Sequence, residues 1–284
     1  MCNQNLCGFG YVLRGLFAAI GDPVVVLILI LLGLAVGSLL GVVSYRLPRA
    51  EQFLSGRSHC PNCGKTIAWY DNIPLVSYIL LGGRCRHCQR RISLRYPAVE
   101  AATVLLFVSL YWKLSSCSAP GAPLCVWRSI LGPWALPFVL FAVSLVVLVF
   151  VIDQEKRIIP DEVSFLGFGA ASVLLVFGSD KFFLNLFSGI LVSLFLLVVH
   201  LATKGKGMGL GDVKFALFAG VFFGWPMAVV WLFTAFLTGA LAAIILILLG
   251  KAGRKDKIAF GPFLAISFVI VMFWGDKILS AILL

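Results

Sequence analysis

Charged side chains are scarce in this 284-residue sequence: Asp, Glu, Lys and Arg make up 12% of it, against 61% hydrophobic residues and a mean hydropathy of +1.05. Soluble domains carry roughly 25% charged residues, so the shortage excludes an ordinary water-soluble globule. Acids are the rarer sign, with 12 Asp and Glu against 23 Lys and Arg. The period-two alternation of a membrane barrel is also missing, which leaves helices as the spanning structure that lipid permits. No Ala-x-Ala-like site follows the first apolar run, which ends at Arg46-Leu47-Pro48-Arg49, so that run is read as a retained anchor and not as a signal peptide. No glycine-rich nucleotide fingerprint follows a strand, and no inverted repeat is evident.

What is present is one apolar run after another. Crossing an oily core of about 30 Å takes roughly 20 helical residues. Eight runs are candidate spans, 24–43, 97–114, 134–152, 163–177, 182–202, 213–225, 227–249 and 260–283, of which the fourth and sixth are short. The predicted fold class is an all-α polytopic membrane protein of about eight transmembrane helices. A small polar module is inserted between helices 1 and 2. The expected divisions are a short external segment (1–23), the first helix (24–45), the module (46–96) and the remaining membrane helices (97–284).

The net charge of +11 would suit nucleic acid as a partner, but its distribution speaks for a lipid bilayer instead. Eighteen of the 23 basic residues fall in loops on one side of the membrane and five on the other. By the positive-inside bias both termini lie outside, and the polar module faces the cytoplasm.

Four cysteines form two CxxC pairs, Cys60-Pro61-Asn62-Cys63 and Cys85-Arg86-His87-Cys88, separated by 21 residues. Each pair suits a knuckle offering two thiolates to one tetrahedral zinc ion. The alternative, two disulfides, is disfavoured in a reducing cytosol. Four thiolates leave no open position for water or substrate, so the zinc is expected to be structural. A module of this size, with an apolar set of Phe53, Ile67, Trp69, Tyr70 and Ile73, is below what a core alone sustains. Structural zinc adds roughly 10 to 16 kcal/mol of apparent binding energy in finger peptides. His59 and His87 are read as neighbours of the cluster. Cys117 and Cys125 are a candidate external disulfide, while the pairing of Cys2 and Cys7 stays open.

Two acids stand where apolar runs meet polar loops: Asp153 in Val151-Ile152-Asp153-Gln154-Glu155 and Asp212 in Gly209-Leu210-Gly211-Asp212-Val213-Lys214. A charge at the centre of a membrane helix costs on the order of 2.5 to 3.5 kcal/mol on insertion scales, so intramembrane acids are functional suspects. Both sit at one depth on one face. They are either helix-end residues, Asp212 favoured by its helix dipole, or a carboxylate pair that shares one proton and supplies a general acid and a general base together. Gly209 and Gly211 let an extended substrate approach the backbone, and Lys214 follows in the same loop; the spacing is wrong for a phosphate loop. His200 is read as a satisfied interfacial histidine.

These residues resemble the GxGD membrane aspartic proteases, and within them the bacterial prepilin peptidases. The likeness rests on Asp153 with Ile158-Ile159-Pro160-Asp161, Gly209-x-Gly211-Asp212, Gly37-Ser38 leading to Tyr45-Arg46-Leu47-Pro48, the two CxxC pairs, Trp69-Tyr70-Asp71-Asn72-Ile73-Pro74, Ser93-x-Arg95-Tyr96-Pro97-x-Val99-Glu100 and Phe260-Gly261-Pro262-Phe263. It covers nearly the whole chain from helix 1 onward. It implies cleavage of the leader of type IV prepilins and pseudopilins at the cytoplasmic face of the bacterial inner membrane. It also implies N-methylation of the new N-terminal residue with S-adenosylmethionine. Asp153 and Asp212 match the catalytic pair, and Glu100, Gly37, Asp71 and Asn72 are methylation candidates. Glu100 either binds a substrate amine or the donor, or is a buried acid paired with an arginine such as Arg95. Where the family often has Gly-Ser-Phe-Leu-Asn, this chain has Gly37-Ser38-Leu39-Leu40-Gly41. Two readings from other classes stand beside this one: an ion- or proton-coupled transporter using the intramembrane acids, and a membrane-anchored zinc module that only binds a partner.

Overall fold

The computed structural model describes residues 23–49, 58–60, 62–117, 121–205, 207–250 and 259–283. The segment 1–22 with Cys2 and Cys7, the stretch 50–57 with Phe53, and the basic run 251–258 lie outside the described residues. The described helices are α1 (Pro23–Arg46), α2 (Val76–Leu80), α3 (Arg95–Ser115), α4 (Pro123–Leu131), α5 (Ala135–Lys156), α6 (Asp161–Gly178), α7 (Phe182–Ala202), α8 (Leu210–Phe223), α9 (Met227–Leu248) and α10 (Gly261–Leu283). Among the described residues, β structure is limited to two isolated bridges.

Seven stretches are long and apolar enough to cross a membrane: α1, α3, α4 joined to α5, α6, α7, α9 and α10. The sixth apolar run, 213–225, forms α8, whose 14 residues reach roughly 21 Å at 1.5 Å each, short of the oily core. It is apolar because it is enclosed, with Phe215, Phe218, Phe222 and their neighbours buried. Gly224, at φ +64°, ends it. A difference from the sequence reading lies before α5, where the expected outer loop contains α4. Pro123 at its start needs no N–H partner, and Pro123, Leu124 and Trp127 turn one side of the helix inward. Cys117 and Cys125 are joined as a disulfide at the entry to α4, with Cα atoms 5.5 Å apart.

The chain divides into two compact units, Met1–Val42 with Leu54–Ser116, and Val43–Phe53 with Cys117–Leu284. In the first, Gly33, Gly37 and Gly41 recur every four residues along one face of α1. A Cβ on Gly33 would lie 2.9 Å from Val104 Cα, one on Gly37 2.7 Å from Glu100 Cα, and one on Gly41 3.2 Å from Tyr96 Cδ1. The partners descend by four as the glycines ascend, so α3 runs antiparallel to α1 with its backbone almost touching, the small-xxx-small contact of membrane helices.

In the second unit α8 is the centre, packed most extensively on α7 and α6. Gly220 of α8 meets Gly189 of α7 so closely that a Cβ would fall 2.5 Å from the Gly189 Cα. The ring of Phe268 on α10 stacks on Phe218 at 5.6 Å and lies 4.8 Å from Phe222. Two buried indoles keep their N–H groups satisfied in this apolar setting: Trp127 donates to the Phe222 carbonyl at 3.0 Å and Trp231 to the Leu264 carbonyl at 3.1 Å.

Candidate active site

Asp153 sits in the last turn of α5, 5% exposed. The helix ends because Arg157 turns left-handed at φ +55° and donates its N–H to the Asp153 carbonyl at 2.9 Å. The chain then runs through Ile158-Ile159-Pro160, with Pro160 extended, into α6. The Gly261 N–H at the head of α10 is directed at the Asp153 carboxylate. A Cβ on Gly261 would fall 2.6 Å from Oδ2. Among the described residues that oxygen has no hydrogen-bond partner.

Asp212 lies in the first turn of α8, 7% exposed. Its Oδ2 accepts the Gly209 N–H at 3.0 Å, the returning half of a capping box whose other half glycine, lacking a side chain, cannot make. The helix-end reading of Asp212 therefore holds as geometry, yet it engages only one of the two carboxylate oxygens. Gly211 presses on the loop that follows Asp153: a Cβ there would sit 2.9 Å from Ile159 Cβ and 3.2 Å from its carbonyl oxygen. The helix ends that carry the acids thus meet backbone to backbone through Gly211 and Ile159. His200 donates from Nδ1 to the Met208 carbonyl at 2.7 Å and so holds the loop ahead of Asp212. Lys214 turns to Asp161, Nζ to Oδ2 2.6 Å, an ion pair with side chains 35% and 54% exposed that contributes little to stability.

The four cysteines of the CxxC pairs come together, their sulfurs all within 4.8 Å of one another and Cys60 Sγ 3.8 Å from Cys88 Sγ. A tetrahedral ion with Zn–S bonds of about 2.3 Å spaces its sulfurs about 3.8 Å apart, so the set fits zinc. The two knuckles share one backbone pattern. Cys60 N–H donates to Lys65 O and Cys85 N–H to Arg90 O, both at 2.9 Å, while Gly64 and Gln89 turn at φ +68° and +54° and donate back to Cys60 O and Cys85 O. Backbone N–H groups of Cys88 and His87 draw the Cys85 thiol down to about 7, favouring the thiolate a metal needs.

Residues 31–114 match the bacterial peptidase A24 N-terminal domain and residues 138–244 the type IV leader peptidase family. The prepilin leader peptidase/N-methyltransferase of Pseudomonas aeruginosa is 34% identical over 89% of this chain and 91% of its own. The proteins of the same name from Aeromonas hydrophila and Bacillus subtilis are 35% and 31% identical, over 87% and 89% of this chain and 90% and 96% of theirs. The chain belongs to the type IV leader peptidase family. No solved structure matches it.

The methylation candidates of this leader peptidase family member are arranged in its first unit. Glu100, 7% exposed, accepts the Leu75 N–H at Oε2, 2.8 Å, and bonds the Ser38 hydroxyl. Gly37 backs directly onto it. Asp71 is committed to Arg86, whose Nε and a terminal nitrogen donate to its two oxygens at 2.8 and 2.7 Å, and this guanidinium holds the Asp71 carboxyl below its usual range. Asn72 is exposed in the same 3-10 turn, Trp69–Asn72. Gly41, where the family often has asparagine, leaves the space filled by the Tyr96 ring. Three residues that sequence reasoning left out now stand at candidate residues, Gly261 at Asp153 in the second unit and Leu75 and Ser38 at Glu100 in the first. Gly261 belongs to the Phe-Gly-Pro-Phe motif, a usable signal. Leu75 and Ser38 are distant from Glu100 in sequence, and no spacing reveals their contact with it.

Proposed function

We propose that this chain cleaves the leader peptide of type IV prepilins and pseudopilins with Asp153 and Asp212, and then N-methylates the new N-terminal residue. The observation that carries the reading is the meeting of Gly211 with Ile159, which brings together the helix ends that carry two buried carboxylates. In the proposed cycle the ionised aspartate takes a proton from water, whose oxygen attacks the scissile carbonyl carbon. The protonated aspartate meanwhile donates to the carbonyl oxygen. The carbon–nitrogen bond then breaks, the leaving amine takes a proton from the dyad, and no covalent enzyme intermediate forms. Among the described residues Asp153 Oδ2 has no hydrogen-bond partner, which leaves it as the acceptor for the water in this scheme.

Zinc, held by Cys60, Cys63, Cys85 and Cys88, is structural in this scheme. S-adenosylmethionine, when bound, supplies the methyl group. Among the described residues Glu100 accepts two hydrogen bonds, of the four lone-pair sites a carboxylate offers, which leaves acceptor capacity for a cationic partner. The charge bias of the loops puts the aspartates and the zinc segment on the cytoplasmic side of a bacterial inner membrane, with both termini outside.

Purified protein incubated with a prepilin-like peptide and S-adenosylmethionine, read by mass spectrometry, tests both activities. A leader-sized loss followed by a gain of one methyl is the expected result, and an unchanged peptide overturns it. Gly261→Ala gives a second reading of the site. Its new methyl displaces the Asp153 carboxylate without altering any charge, and a misplacement of about 1 Å costs on the order of 10²-fold in rate. Cleavage by a variant that keeps its zinc and its fold should fall by about that factor. Wild-type rates would show that the Asp153 position is not critical.

A further inference from the structure

We propose that α2 and the turn before it form a wedge seated in the lipid interface, with Val76, Ile79 and Leu80 among the acyl chains and Arg84 and Arg91 on anionic headgroups. Val76, Ile79 and Leu80 are spaced i, i+3, i+4 and so share one face of α2. They are 46%, 74% and 81% exposed. Ser77, on the other side, is buried and donates its hydroxyl to the Tyr70 carbonyl at 2.8 Å, which fixes which face points outward. Trp69, beside that carbonyl, is 81% exposed as well.

What covers this face follows from its depth. The N–H of Leu75, the residue before α2, donates to Glu100, which stands five residues into the membrane-crossing helix α3, about 7 Å along its axis. The start of α2 is therefore level with the second turn of a membrane helix and not out in the cytosol. The inference rests on that assignment of α3 to the membrane and on no catalytic reading. The level is held firmly: Leu75 stands at φ +57°, ψ −47°, with Val76 N–H donating to Pro74 O at 2.6 Å, a γ-turn of the rare, strained hand. Such strain persists where its surroundings dictate it, here the Glu100 carboxylate.

The charge beside the face fits the same occupant. Arg84, four residues beyond Leu80, faces Arg91 across an isolated antiparallel bridge, and like charges so placed repel. Among the described residues neither forms an ion pair. Anionic lipid phosphates at the cytoplasmic leaflet supply the missing counter-charge, and tryptophan favours the same layer.

A photoreactive diazirine side chain in place of Ile79 or Leu80, in the full chain reconstituted into phosphatidylethanolamine and phosphatidylglycerol vesicles, tests this, with the same group at exposed Lys65 as the water-facing control. Zinc content confirms folding. Phospholipid adducts several-fold more abundant at 79 and 80 than at 65 are expected, and replacing phosphatidylglycerol by a neutral lipid, or combining Arg84→Ala with Arg91→Ala, should lower them. Adducts to an added pilin signal peptide or to a second copy would overturn the assignment, as would solvent quenching without lipid adducts. Yields unchanged by both the neutral lipid and the arginine variants would overturn the headgroup contact.

Discussion

Asp153→Asn and Asp212→Asn should each lower prepilin cleavage by about 10²- to 10⁴-fold, the contribution of a general acid or base, while the protein stays folded. The two variants keep the shapes of the side chains and remove the charge that activates water. In Asp212→Asn the amide can turn its carbonyl oxygen to the Gly209 N–H and so preserve the cap that Asp212 Oδ2 makes at 3.0 Å. Asp153 is 5% exposed with Oδ2 unpartnered among the described residues, and burying a charge without full compensation is costly. Its neutral isostere should therefore unfold no earlier than the parent on heating. Loss of rate with no loss of stability is what separates a catalytic carboxylate from a structural one. The check is a pair of measurements on each variant: single-turnover cleavage of a prepilin, and the thermal midpoint in detergent. Either variant processing prepilin at the parent rate would remove the dyad from the mechanism. Loss of cleavage only in proportion to unfolding would return Asp212 to the role of a helix cap.

The membrane helices are legible because bilayer thickness imposes a length, and runs such as 182–202 satisfy it without reference to any neighbour; the helix there is Phe182–Ala202. α8 is less so, since enclosure by other helices and burial in lipid leave the same apolar composition, and only its 14-residue length separates the two. α4 hides for the opposite reason, being too short to announce itself by hydropathy and recognisable only from Pro123 and the inward side chains that follow. Asp153 and Asp212 stand out as charges in apolar surroundings, and the cysteines by spacing, both local signals. Contacts between distant helices have no such signature. That Gly261 lies against the Asp153 carboxylate follows from the packing of α10 on α5, and that Leu75 reaches Glu100 follows from how the zinc segment folds back on α3. The glycines of α1 are an intermediate case. Their recurrence at 33, 37 and 41 is visible in the chain, but its meaning depends on the partner helix being α3.

Removing zinc should cost methylation more than cleavage. The described part of the zinc segment offers few buried apolar groups: Trp69, Tyr70, Ile73, Ile79 and Leu80 are all exposed, while Cys60 is buried at 6%. With so little core, the segment is expected to depend on a bound metal, whose apparent contribution in small zinc folds is about 10 to 16 kcal/mol. Cys85→Ser takes away one of the four sulfurs that lie within 4.8 Å of one another, and with it a metal ligand of the knuckle whose backbone closes through the Cys85 N–H on Arg90 O. The arrangement around Glu100 is then undone at its donor, because the Leu75 N–H is held by the same segment. Asp153, Asp212, Gly209, Gly211 and Gly261 belong to the other unit, whose buried aromatic core contains no metal ligand among the described residues. In Cys85→Ser, bound zinc should fall from one ion per chain toward none, proteolysis within 58–94 should accelerate, and the methylated fraction of cleaved pilin should drop further than the cleaved fraction. Zinc analysis and mass spectrometry of one reaction read all of this together. A variant that loses zinc yet methylates as before would show that the metal does not hold the Glu100 arrangement in place. Equal loss of both activities would show that the aspartate loops depend on it too.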